Sequence, residues 1–458
     1  MWDSVWPKLG RRCSGLRSGA SLFLFLIAVT IAPAHGQLSG EPAASGRAAT
    51  DKSIVISLDE AIKRAEANEP AYAASSAESK AVGLDRWIAR GGLLPSVTYH
   101  NQALYTQTDH GQTSPRFIAN NAVREYTSQA VVNETIGLGS LAGVHRADAA
   151  AARAAAELEI ARRGLVAAVT SLYYCAVAAE NKQKIAERAS EEASDFTRLT
   201  TKREQAREAA HADVVKAQLQ QQQRERELSD ARVATEKAHL ELGVLLFSDP
   251  RTPYLLDSEK SVTPLAERAE VDEAAEKNNP ELKSALSALK MSNDDVLAAR
   301  AAYLPDLGLN VTYGIDAPQF AVNGPAGAHN LGYSAGVTLD IPVWDWFSTQ
   351  HKVKQSKIRR DAARVALTAT QSRLIARLNE AYSEAAAARD QLASLDESVA
   401  TAAESLRLTK LRYSEGEATV LEVVDAQTAF VSMENAREDG SVRYRAARAD
   451  LQTLTGTM

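Results

Sequence analysis

Two carboxylates three residues apart, Glu422 and Asp425, follow a glycine at 416 in the stretch YSEGEATVLEVVDAQT. On a helix, residues at that spacing share a face, and paired carboxylates there would hold cations and resist anions. A matching segment 209 residues earlier, KREQAREAAHADVVKAQ, puts Asp213 and Lys216 in their places. Lys216 opposes the sign of Asp425, so a group built from both segments would be partly neutralised.

Other candidate chemistry is sparse. The chain has no nucleophile elbow, Walker A loop or HExxH motif. GLGSLA at 137–142 satisfies G-x-G-x-x-A, but Glu157 and Glu159, about twenty residues on, sit in a continuous helical pattern with no second parallel strand. The glycines fit a tight exit from strand to helix better. The histidines are scattered without ligand spacing, so neither a metal nor a cofactor is expected, and an enzyme is not the favoured reading. Cys175, in SLYYCAVAAE, is the one cysteine beyond Cys13. It reads as a packed core thiol, and an internal disulfide in an exported chain is excluded.

The elements that would position the carboxylates begin after an export signal. Lys8, Arg11, Arg12 and Arg17 precede the apolar run SLFLFLIAVTIA and the small residues APAHG, the layout of a signal peptide over 1–36 with cleavage after Ala34 or Gly36. Its loss removes four positive residues and one negative, taking the formal charge from -6 to -9. An acidic export product does not suit nucleic acid. Across the 458 residues aromatics are only 6% and charged residues 24% with mixed signs, which suits long thin helices better than thick cores.

Proline is missing from 116–249 and from everything after 342, leaving two alanine-rich tracts that are most economically helical. The chain also repeats itself. NEP at 68–70 matches NNP at 278–280, LP at 94–95 matches LP at 304–305, and KAQ at 216–218 matches DAQ at 425–427. Each half reads as a first helix (about Leu58 to Gly91, and Leu265 to Tyr303), two strands around a loop, then two long helices. Ser57 with Glu60 supplies an N-terminal capping pattern for the first helix. The strands are expected at 97–105 and 126–134, and again at 307–315 and 333–341, with loops at 106–124 and 316–331.

The strands decide the solvent. Leu307, Leu309, Val311, Tyr313 and Ile315 fall on one face, as do Tyr333, Ala335, Val337, Leu339 and Ile341, with polar residues opposite. The first repeat alternates more weakly, broken by Asn101. Strands of this length with one apolar face match those of outer-membrane barrels. From Leu374 to Leu406, apolar residues at heptad spacing include many alanines, a narrow seam for closely approaching helices. Four strands cannot close a membrane barrel, and open edges in lipid are prohibitive, so other copies must complete it. Trp344 and Trp346, at the end of the fourth strand, suit the membrane interface.

The chain resembles the TolC family of outer-membrane efflux proteins, through both LP switches, the NEP and NNP helix starts, IPVWDWF at 341–347 and LRYSEGEATVLEVVDAQTAF at 411–430. The resemblance implies a mainly α fold with a membrane β-barrel portion: a coiled-coil helical tunnel reaching into the periplasm, and four strands per chain in a trimeric 12-stranded barrel. It implies a passive exit duct in the outer membrane, held in its lipid, with a periplasmic adaptor and an inner-membrane transporter as partners. It places Glu422 and Asp425, with Asp213 and Lys216, at a periplasmic aperture, and adaptor docking at the tips around Arg207, Tyr413 and Gly416. Arg207 stands where the second repeat has Gly416, so that turn is expected to differ. The segments are then a signal peptide (1–36), a flexible segment (37–56), a first repeat (57–249), a linker (250–264) and a second repeat (265–458). A periplasmic coiled-coil scaffold without a pore is the alternative.

Overall fold

The computed structural model describes residues 54–105, 124–257, 264–324 and 327–456. The export signal, the expected flexible segment up to residue 53, the loop at 106–123 and residues 258–263 of the linker lie outside the described residues.

The chain runs β1 (Ile54–Ile56), α1 (Leu58–Asn68), α2 (Pro70–Gly91), β2 (Ser96–Tyr105), β3 (Arg124–Ile136), α3 (Leu138–Gln205), α4 (His211–Leu246) and β4 (Tyr254–Leu256). The second half repeats the theme with α5 (Arg268–Asn278), α6 (Pro280–Ala301), β5 (Asp306–Ala317), β6 (Leu331–Asp340), α7 (Ser348–Ser414) and α8 (Val420–Thr455). The one long first helix expected in each half is in fact two. Glu69 (φ -75°, ψ 114°) and Asn279 (φ -62°, ψ 121°) are extended, as a residue before proline prefers, and Pro70 and Pro280 restart the chain at the first position of a new helix.

The long helices are where the proline-free tracts put them. α3 has 68 residues and α7 has 67, each about 100 Å long at ~1.5 Å per residue. α3 packs against α2, α4, α6 and α8, and α7 against α6 and α8. The α7 seam is buried at Leu374, Leu378, Ala385, Ala388, Leu392 and Leu406, so small residues do let the helices approach closely. The α8 carboxyl end docks on α3 through Arg163, whose Nη1 donates to the Thr453 carbonyl at 3.1 Å.

Two short strands were not expected. β1 and β4 pair in parallel, Ile54 to Tyr254 through Ile56 to Leu256, so residues 54–56 are structured and the linker is partly pinned. They close a core of Ile56, Ala61, Ala65, Val169, Tyr173, Leu242 and Leu246. The Tyr173 hydroxyl lies 2.7 Å from the Asp257 carbonyl and 3.1 Å from that of Ile56, tying both strands to α3. Burying each of these large apolar side chains stabilises by roughly 1.5–3 kcal/mol. Cys175, expected in such a core, is exposed instead. Two residues beyond Tyr173 it has turned ~200° around the helix, away from the core that Tyr173 fills.

The four remaining strands form one antiparallel sheet in the order β2-β3-β5-β6. Its register sets Leu307 against Leu339, Leu309 against Val337, Val311 against Ala335 and Tyr313 against Tyr333, so the apolar faces of β5 and β6 join. Through Ala130 against Tyr313 and Val132 against Val311 this face continues onto β3, and through Val97 and Tyr99 onto β2. Asn101, which breaks the alternation, pairs with Ser128. Ser128 Oγ donates to Asn101 Oδ1 at 2.7 Å and lies 2.9 Å from the Tyr99 hydroxyl. The break is thus a small satisfied polar cluster. Gly137 ends β3 where the expected tight exit lies: a Cβ there would come within 2.1 Å of Asp306 Oδ1.

Candidate functional site

The helical hairpins reverse at two tips, between α3 and α4 and between α7 and α8. At the second, Gly416 has φ 81°. Its N–H donates to Tyr413 O at 3.2 Å, and that of Glu417 to Arg412 O at 2.8 Å. At the first, Arg207 has φ 63°, its N–H donates to Glu204 O at 2.8 Å, and that of Glu208 to Arg203 O at 2.8 Å. The two turns therefore have the same left-handed helix stop. The expectation that Arg207 shapes its turn differently is corrected: the arginine adopts the glycine conformation at a backbone cost of about 1–2 kcal/mol.

Beneath the tips lies a small core of Phe196, Ala217, Tyr413, Val420 and Val423. Tyr413 is buried, with its ring centroid 5.3 Å from that of Phe196. Expected among the docking-tip residues, Tyr413 packs between the two hairpins. Arg203, from the last turn of α3, donates to Tyr413 O at 2.8 Å and Ser414 O at 3.0 Å, with its guanidinium 4.8 Å over the Tyr413 ring. It thereby caps the carboxyl end of α7 from the neighbouring hairpin.

The carboxylates of the expected aperture differ in their surroundings. Glu422 closes a capping box with Thr419: Glu422 N–H donates to Thr419 Oγ1, and Thr419 N–H donates to Glu422 Oε1 at 3.2 Å. Arg412 Nη1 lies 3.4 Å from Glu422 Oε2. The Thr419 N–H, its hydroxyl and Arg412 hold the Glu422 carboxyl below its ordinary pKa. Asp425, one turn further on, is exposed and has no ion-pair partner among the described residues. Asp213 in the first turn of α4 is half-buried and Lys216 is exposed, and neither forms an ion pair among those residues. α4 starts at Ala210 with no side-chain cap. The shared tip places all four charged residues in the first turn or two of α4 and α8, and among the described residues only the Glu422 side chain is committed to local bonds.

Sequence reasoning missed Arg203, Phe196, Arg412 and Thr419. Thr419-x-x-Glu422 is a legible capping pattern. Arg203 and Arg412 are repeat partners, which singles them out but does not reveal that one reaches across hairpins while the other stays within its own. At the opposite end, Trp344 and Trp346 are exposed beyond β6, with ring centroids 5.9 Å apart. Among the described residues no helix is long and apolar enough to cross a membrane, and no group of acidic, histidine or cysteine side chains could hold a metal ion.

A family model described as outer membrane efflux protein matches residues 272–457, the strand pair and hairpin of the second repeat. The match to this family is confined to the second repeat. Outer membrane protein OprJ of Pseudomonas aeruginosa is 26% identical over 177 residues, which span 39% of this chain and 36% of OprJ, about a third of that protein's length. Protein CyaE of Bordetella pertussis is 27% identical over 374 residues, 76% of each chain. The fold is that of the CmeC outer membrane channel of Campylobacter jejuni, with a TM-score of 0.72 at 17% identity, covering 87% of this chain and 85% of that one. Both OprJ and CmeC are outer membrane proteins by name. The fold is thus one that outer membrane channels adopt.

Proposed function

We propose that this chain is an outer membrane efflux protein, three copies of which close a twelve-stranded barrel and a helical tunnel, forming a passive exit duct served by a periplasmic adaptor and an inner-membrane transporter. The observation that carries this reading is the sheet, which has four strands, one mainly apolar face and two edges unpaired among the described residues, β2 and β6. An open edge in lipid leaves several backbone groups unpaired at a cost of several kcal/mol each, and pairing β6 of one copy with β2 of the next removes it. The apolar face then meets lipid, and the polar face, with Asn310, Thr312, Ser334 and Thr338, lines the pore.

The helices support the same assembly. Ile358, Val365 and Ile375 lie exposed along α7, and Leu84, Trp87 and Ile88 along α2. Each set follows helical spacing, so each is a stripe that a neighbouring copy would cover. The test is direct. The protein extracted from outer membranes should run as a heat-modifiable trimer and, purified in detergent, conduct ions across planar bilayers. Recovery as a soluble periplasmic species without conductance would instead establish a scaffold.

A further inference from the structure

The junction of β6 and α7 differs from its repeat counterpart in two ways that point to a ligand. Trp346 and Phe347 are consecutive residues with φ 55° and 64°, in the left-handed region that favours glycine. Their rings are exposed, Trp346 at 83%, and Phe347 and Trp344 lie with centroids 5.1 Å apart. The corresponding exit in the first repeat, Gly137–Leu138–Gly139, carries no aromatic side chain. Glycine would hold this corner at less backbone cost; contacts of the Trp344 ring with Trp346 and Phe347 offset part of it and leave the outer ring faces exposed. A hollow of about 300 Å³ opens beside them, lined by Tyr303, Pro342, Val343, Trp344, Asp345 and Phe347, with the Asp345 carboxylate accepting from the Thr349 N–H.

The second difference is charge. From Ser348 to Arg364, α7 carries six lysines and arginines against one carboxylate, Asp361. Arg360 pairs with Asp361, whereas Lys352, Lys354, Lys357, Arg359 and Arg364 have no ion-pair partner among the described residues. Further along, Arg377, Arg389, Arg407 and Lys410 each pair with a carboxylate. At the start of α3, Arg146 and Arg153 are paired as well, with Asp295 and Glu157. Among the described residues the α7 cations without an ion-pair partner are thus those five and Arg373, so five of the six lie before residue 365. Lys352 and Lys354 lie within about 9 Å of its start, a distance that long side chains and the Debye length both span.

We propose that this corner binds an anionic phospholipid of the periplasmic leaflet. Its acyl chains lie against Trp344, Trp346 and Phe347, in continuity with the apolar strand face that ends at Leu339 and Ile341. Its phosphate is held by Lys352, the first cation of α7, with Lys354, Lys357 and Arg359 adding longer-range attraction. A basic segment bordering a membrane element, with aromatic side chains at the interface, is the arrangement that recognises anionic headgroups. The inference rests on the barrel reading above, because only that reading puts this corner at the membrane surface.

The competing occupant is a neighbouring copy, whose exposed Glu78 and Asp85 on α2 would meet α7 in the trimer. Two carboxylates leave most of the five cations unmatched, which favours lipid. In the test, the full-length trimer with Trp87→Phe is reconstituted into phosphatidylethanolamine vesicles containing phosphatidylglycerol or phosphatidylcholine with brominated acyl chains, and tryptophan quenching is compared. Each basic residue close to an anionic surface strengthens attraction by about fivefold, so phosphatidylglycerol should be preferred by tenfold or more, and about 0.5 M salt should erase most of that preference. The variant Lys352→Gln/Lys354→Gln/Lys357→Gln/Arg359→Gln should quench equally with both lipids while remaining trimeric. Equal quenching in the parent protein, a preference that ignores salt, or an undiminished preference in the variant overturns the proposal. Loss of the trimer in the variant alone would assign the cations to Glu78 and Asp85 of the next copy and overturn it too. Absence of a trimer in the parent protein would instead remove the barrel reading beneath it.

Discussion

Arg203 and Tyr413 join the two helical hairpins at their tips: the guanidinium donates to the Tyr413 carbonyl at 2.8 Å and lies 4.8 Å over the ring of the same residue. One side chain thus caps the end of α7 and covers the aromatic core below it. Arg203→Ala removes charged hydrogen bonds to two carbonyls, a loss of about 1.5–3 kcal/mol before solvent replaces part of it. The expected outcome is a looser tip, seen as a higher single-channel conductance and faster protease nicking near residue 414. Arg203→Lys should recover only part of this, because an ammonium cannot span both carbonyls as the fork does. Unchanged conductance and nicking in Arg203→Ala would show that the core alone holds the hairpins together.

Arg207 and Gly416 share one backbone conformation, so the two tips differ in strain and not in shape. Arg207→Gly should raise thermal stability by an amount equivalent to about 1 kcal/mol, the relief of a left-handed residue partly offset by the greater freedom of glycine when unfolded. Gly416→Arg should cost a similar amount and still fold, since open space surrounds the position. If export fails in the Gly416→Arg protein while its stability falls only this far, the side chain obstructs a partner at the tip. Normal export would remove Gly416 from any docking role.

The capping box makes the α8 start sensitive to acid. Donors from Thr419, then Arg412, hold the Glu422 carboxyl below its ordinary value. Because the folded value is the depressed one, the stabilising contribution is complete above the ordinary carboxylate pKa of about 4.3 and is lost as pH falls through the folded value. Protection factors for amides near 419–423, measured by hydrogen exchange from neutral pH down to pH ~3, should drop at the acid end. The drop should vanish in Glu422→Gln, and its persistence there would place the acid sensitivity elsewhere.

Much of the architecture was legible because it rests on local rules. The proline-free tracts, the alanine seam of α7 and the apolar alternation of β5 and β6 each follow from the sequence period of one element. What escaped depends on encounters between distant residues. β1 and β4 are three residues each, too short for any period, and exist because Tyr173 and Leu242 give Ile56 and Tyr254 something to cover. Pro70 and Pro280 announced a helix start, yet the helix before each of them was not separated from the one after. The Asn101 break in β2 was visible as a defect, and only the register with Ser128 explains it. At the tips the charged residues could be named from spacing, whereas the reach of Arg203 across hairpins could not.

Loop 316–331 should face the outside of the cell. α6 and α7 both approach the β5–β6 pair from one end, which puts the connecting loop at the other. Within it Asn323 bridges to His329 and its side chain is exposed. The variant Asn323→Cys, combined with Cys175→Ser, should react with a membrane-impermeant maleimide on intact cells. Labelling that appears only after lysis would invert the topology.

Glu422 and Asp425 are the acidic residues expected at the periplasmic aperture, and their surroundings assign them unequal parts. Glu422 spends its carboxylate on Thr419 and faces Arg412 at 3.4 Å, so its field is largely neutralised before it reaches the pore axis. Among the described residues Asp425 neither serves a cap nor has an ion-pair partner. In a trimer the three copies of Asp425 would dominate the negative potential of the aperture, reduced in turn by Lys216 from the other hairpin. Wild-type pores in planar bilayers should therefore be cation-selective and blocked by divalent or trivalent cations from the periplasmic side. Asp425→Asn alone should remove most of that block, and Glu422→Gln should remove little while loosening the start of α8. Lys216→Gln should strengthen the block by unmasking Asp425. The reverse order, with Glu422→Gln abolishing the block and Asp425→Asn leaving it intact, would show that Glu422 abandons its cap in the assembled pore. A block that survives in both variants would put the gate at another level of the tunnel.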